Sequence, residues 1–150
     1  LVTLSGQPEV AVNVTYSAEH FNLTGNWASD DAGTFYCPLI IKVTGKVGGV
    51  AKTETINCAD KERAADVETA VKNAVAACSA TYDPKTDLSS ATVDGDGLKI
   101  SWEWPFESGE TNPKQNDVKD TYLGNQAVTA TGLSIPAIHV QVTATVTQID

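Results

Sequence analysis

The sequence predicts a mainly β protein, a jelly-roll-type β-sandwich with one inserted amphipathic helix. Three observations lead there. Apolar and polar residues alternate over much of the chain, the period of strands with one buried face. A single segment, from about residue 60 to 80, switches to a helical period. Clusters of glycine, acidic residues and proline punctuate the rest at short intervals. Many short strands and a lone helix suit a two-sheet sandwich better than a bundle or an alternating α/β fold.

The elements follow in order. Val10, Val12, Val14 and Tyr16 alternate with Ala11, Asn13 and Thr15, predicting a half-buried strand with Asn13 on its outer face. A denser apolar run covers Phe35 to Val43, and alternation resumes from Thr53 to Ile56. Between Asp60 and Ala80, Val67, Val71, Val75 and Cys78 recur at spacings of four and three beside Ala64, Ala70 and Ala74. That pattern predicts one helix, opened by Asn57 or Asp60 as cap and ending before Asp83-Pro84. Leu98, Ile100, Trp102 and Trp104 share one face of a strand, so both tryptophans are expected in the core. A short helical turn is expected over 117–123, capped by Asn116, Asp117 and Asp120 and closed by Gly124 and Asn125. The C-terminus shows the cleanest alternation, with Ile138, Val140, Val142, Ala144 and Val146 inward and His139, Gln141, Thr143, Thr145 and Thr147 outward.

At 150 residues one compact domain is expected. A net charge of −9 argues against a nucleic-acid binder, which needs a basic footprint. No apolar run approaches the roughly 18 residues that a membrane helix requires. The chain starts at Leu1 without an initiator methionine, so a removed targeting segment is expected. Two sequons, Asn13-Val14-Thr15 and Asn22-Leu23-Thr24, join the acidic surface in pointing to a secreted protein glycosylated at Asn13 and Asn22.

Geometry ranks the pairings of the three cysteines. On a continuous helix Cys58 and Cys78 lie roughly 30 Å apart at 1.5 Å per residue, far beyond the about 7 Å between Cα atoms that a disulfide allows. A hairpin turning at Lys46-Val47-Gly48-Gly49 sets Thr44 against Ala51 and Cys37 against Cys58. A Cys37–Cys58 bridge is therefore expected, with Cys78 a buried thiol; the competing reading is three reduced, buried cysteines.

The chain holds little that resembles catalytic chemistry. His20 and His139 belong to no metal-ligand spacing, and no G-x-S-x-G elbow exists. Asp94-Gly95-Asp96-Gly97 reads as a hairpin turn, since Pro105 stands where a calcium loop needs its bidentate Glu. No catalytic residue, metal ligand or cofactor is expected.

The strand Leu98-Lys-Ile-Ser-Trp-Glu-Trp-Pro-Phe106 is followed by Asn116-Asp-Val-Lys-Asp-Thr-Tyr-Leu-Gly-Asn125 and a closing strand Val142-Thr-Ala-Thr-Val-Thr-Gln-Ile-Asp150. In that order they resemble the TasA/camelysin family of secreted biofilm-matrix proteins, which includes archaeal bundling-pilus subunits. A strand at Phe35-Tyr-Cys-Pro-Leu39 and the helix from Asp60 stand in the places the family leads one to expect. The resemblance implies a jelly-roll subunit of an extracellular, cell-surface filament, polymerising by donor-strand exchange with identical subunits. Leu1, Val2, Thr3 and Leu4 fit the donor role. They form an apolar, β-prone start cut off by the breaker Ser5-Gly6-Gln7-Pro8. The chain then divides into a donor segment, 1–8, and a sandwich domain, 9–150. The alternative is a secreted monomeric binding module, for example for carbohydrate, using Trp27 and Tyr36.

Overall fold

The computed structural model describes residues 1–88, 97–105 and 113–149, and at 113–116 the backbone alone. The alternation at Val12, Val14 and Tyr16 becomes β1 (Val12–Ser17), which buries those three side chains. β1 is the centre of an antiparallel sheet, between β5 (Ser79–Tyr82) and β8 (Thr143–Gln148). A second antiparallel sheet centres on β3 (Ile40–Val47), between β4 (Val50–Asn57) and β6 (Lys99–Glu103). A short pair, β2 (Asn22–Thr24) with β7 (Ala137–His139), completes the β structure of the described residues. The chain is mainly β.

Helix α1 (Ala64–Ala76) packs on β1, β2, β3 and β4, with Val67, Val71 and Val75 fully buried in one core that they share with both larger sheets. It is shorter than the expected span over 60–80. A 3-10 turn over Cys58–Asp60 precedes it, and Asn57 caps that turn by accepting from the Ala59 N–H at 3.2 Å. The helix itself starts after Arg63, whose guanidinium holds Asp66 at 2.9 Å instead of a side-chain cap. Cys78 lies beyond the helix end, buried, with its thiol donating to the Ala74 carbonyl at 3.3 Å. β3 comes close to it at Gly45, where a side chain would meet the Cys78 sulfur.

Four further expectations are corrected. The β3–β4 hairpin turns on Gly48 and Gly49, both at positive φ, pairing Val47 with Val50 and Thr44 with Thr53 rather than with Ala51. Both turns have two residues, and the pair able to adopt positive φ at both positions, Gly48-Gly49 rather than Val47-Gly48, takes it. Phe35–Leu39 is no strand; Phe35 makes an isolated bridge to Ala28, and β3 begins only after Pro38. The turn expected over 117–123 is part of α2 (Pro113–Thr129), a helix of 17 residues that runs through Gly124 and Asn125. Pro113 is its first residue, a position where proline loses no hydrogen bond. The long C-terminal strand is two strands. β7 pairs with β2, the chain crosses over 140–142, and β8 pairs with β1. The Asp94–Gly97 turn falls largely outside the described residues, which resume at Gly97.

Candidate functional site

Among the described residues, β6 is the outer strand of the second sheet on one flank. Leu98, Ile100 and Trp102 point to the same side as Val43 and Ile41, their cross-strand neighbours, and so toward the interior. Leu98 is buried, yet Trp102 is 53% and Trp104 47% exposed, so these tryptophans are not core, contrary to their period-2 placement. Trp27, Leu39, Trp102, Glu103, Trp104 and Ile138 are among the residues lining a hollow of about 400 Å³. All three tryptophans of the chain thus converge there. A neighbouring hollow of about 320 Å³ shares Trp102 and is lined by Leu1, Val2, Leu98, Ile100, Val140 and Val142. Together they form an apolar groove along β6. A contiguous apolar surface of this kind marks a binding or assembly site more often than chance exposure does. The Lys42–Glu103 ion pair, 3.2 Å and half exposed, supplies the charge at its rim.

The N-terminal segment lies at one end of this groove. The Val2 N–H donates to the Leu98 carbonyl at 2.7 Å, and the Leu98 N–H returns a bond to the Val2 carbonyl at 3.0 Å. This is one antiparallel bridge, on the edge of β6 that faces away from β3. Val2 and Leu4 are half-buried against the core, whereas Leu1 and Thr3 are exposed. Gly97 permits the approach, since a methyl group there would overlap the Val2 carbonyl oxygen. Gly6 adopts φ +94°, and beyond it the segment is tied down: the Gly6 carbonyl accepts from Leu88 at 2.9 Å and the Pro8 carbonyl from Lys85 at 2.7 Å. Within the expected donor segment 1–8, these backbone bonds thus fall at Val2, Gly6 and Pro8.

Other expected site residues are placed as follows. Tyr36 is 3% exposed and its hydroxyl donates to Asp120 Oδ1 at 2.8 Å, so it offers no binding face. Asp120 therefore anchors α2 rather than capping it, helped by Lys119 over the Tyr36 ring and by the Tyr122 hydroxyl on Asp31. Trp27 is half-buried with its indole N–H on the Thr24 carbonyl at 2.9 Å. Asn13 and Asn22 sit on β1 and β2 at outward-facing, half-buried positions. His20 and His139 are exposed.

Cys37 and Cys58 do come together, though not by the expected register. Cys58 lies just past β4 with its N–H on the Leu39 carbonyl at 2.9 Å, which brings it beside Cys37. Both are free, buried thiols. Interaction with Cys58 draws the Cys37 thiol below its usual range, and the same interaction with burial pushes Cys58 above it.

Among the described residues no three His, Cys, Asp or Glu side chains gather as a metal site. No described helix is long and apolar enough to cross a membrane. Another hollow, about 510 Å³ between β4 and α1, has a mixed wall that includes Lys52, Glu54, Ala70 and Ala74. No protein family's sequence profile, no curated protein and no solved structure matches this chain.

Proposed function

We propose that this protein is the structural subunit of an extracellular filament, built by passing the N-terminal strand of each copy to the next. The observation that carries the reading is the Val2–Leu98 bridge: an apolar segment held by one backbone pair on a sheet edge that, among the described residues, takes no other strand. Such a segment is readily exchanged between copies, because a sheet edge bonds a strand of its own chain or of another alike. The jelly-roll connectivity belongs to the same proposal, as do secretion and glycans on Asn13 and Asn22, whose side chains face away from the core. So does a Cys37–Cys58 disulfide in an oxidising compartment, favoured by two buried thiols that influence each other's ionisation. The resemblance to biofilm-matrix fibre proteins points the same way.

Electron microscopy of the chain lacking residues 1–4 tests the reading. The expected outcome is a folded monomer that forms no filaments, and filaments of unchanged morphology would overturn it. A monomeric carbohydrate binder is the second reading, favoured by the convergence of all three tryptophans. For that reading, soluble polysaccharide would quench tryptophan fluorescence in a chain that stays monomeric.

A further inference from the structure

Resting on the filament reading, we infer where the incoming strand docks: on the outer edge of β6, in the groove closed by Val140 and Val142, with Trp102 and Trp104 covered by residues 1–4 of a second copy. The occupant is argued from hydrogen-bond phase, side-chain phase and the state of the other edges.

Hydrogen-bond phase comes first. In an antiparallel ladder, alternate residues turn both backbone groups to the same neighbour. Leu98 spends both of its groups on Val2, so Ile100 and Trp102 present theirs to the same outer side. Lys99, Ser101 and Glu103 serve β3, opposite Thr44, Lys42 and Ile40. Among the described residues no backbone bond continues the Val2 bridge along that edge, although the apolar groove does continue past it.

Side-chain phase agrees. Val2 and Leu4 already turn inward and Leu1 and Thr3 outward. A strand moved along β6 by an even number of residues keeps that alternation and sets Val2 or Leu4 over Ile100 and Trp102. A second copy supplies this strand once its own Ser5–Gly6 joint opens, while its Gly6 and Pro8 carbonyls stay anchored. The competing edge of β4 is guarded: Lys52 and Glu54, an ion pair at 3.4 Å, point to its inner side, and inward charges of this kind blunt a sheet edge.

The test pairs two variants of the full chain. Val2→Lys/Leu4→Lys removes the donor and leaves the groove. Trp102→Pro removes the groove's outward N–H and indole without touching a bond to β3, and Trp102→Lys serves as a second variant should the proline disturb folding. Light scattering should show assembly of each falling at least tenfold below wild type. A one-to-one mixture of donor and groove variants should give a heterodimer by size-exclusion chromatography, since one chain then lacks a donor and the other an acceptor. If folded Trp102 variants assemble like wild type while the donor variant does not, the docking edge is wrong and the filament reading stands. If the donor variant assembles normally, the filament reading itself fails. Two assembly-dead variants that give no heterodimer overturn the docking edge, and a monomeric wild type that binds polysaccharide through Trp102 overturns both.

Discussion

The two flanks of this mainly β fold are closed by different means. On one, α1 lays Val67, Val71 and Val75 at zero exposure against β1 to β4, and Glu68 accepts from the Leu23 N–H at 2.9 Å. On the other, Ile100, Trp102, Val140 and Val142 line a hollow beside Leu1 and Val2. A helix of 13 residues makes one flank permanent, whereas a single bridge makes the other provisional. The same apolar chemistry is therefore core on one side and contact surface on the other.

That contrast is easiest to break by substitution. Val71→Asp should abolish cooperative folding in a denaturant titration, because an unpaired charge among fully buried valines costs several kcal/mol. The groove should respond differently: Trp102→Ser is expected to cost less than about 1 kcal/mol in the same titration, as over half of that side chain is already in water.

The cysteine pair sharpens the closed side. Oxidised glutathione should convert the two thiols to a disulfide, releasing two reduced glutathiones and raising stability by about 3 kcal/mol for a loop of this order. Mass analysis of unreduced peptides and a melting curve would check it. Because interaction with Cys58 draws the Cys37 thiol below its usual range, its thiolate should form at lower pH than an ordinary thiol's, and Cys58→Ala, which leaves no donor, should remove that advantage.

Gly97→Ala probes the provisional side. The added methyl displaces the Val2 carbonyl, so the Val2 and Leu98 amides should lose hydrogen-exchange protection, at a cost of about 1 kcal/mol for the hydrogen bonds lost. The smallest effect concerns the loop under α2. Asp30 accepts from the Thr34 N–H at 3.0 Å, which lowers its pKa below 3.8. Its contribution is present above that value and lost as pH falls through the lowered one. Exchange at Thr34 should therefore quicken only in strong acid, and Asp30→Ala should remove the dependence.

Much of the fold was legible because burial imposes a period. Val12, Val14 and Tyr16 announced β1, and Val67, Val71 and Val75 announced α1. Period alone does not say whether a second layer covers the inward face, which is why Trp102 and Trp104 read as core and line a groove instead. Nor does it say which sheet a strand joins. Alternation runs unbroken from Ile138 to Val146 while the chain crosses between sheets. α2 was read as a single turn because, among its described side chains, Leu123 alone is buried, leaving no apolar stripe to count. The apolar start Leu1-Val2-Thr3-Leu4 and the breaker after it were legible in the sequence. Its resting place was not, since a contact between Val2 and Leu98 depends on the whole intervening fold.

Hydrogen exchange at the Ile100 and Trp102 amides, compared between monomer and assembled fibre, reads the strand transfer most directly. Both amides should exchange rapidly in the monomer and become strongly protected in the fibre, as an incoming strand bonds to them. Fibres in which the two amides still exchange as in the monomer would contradict it.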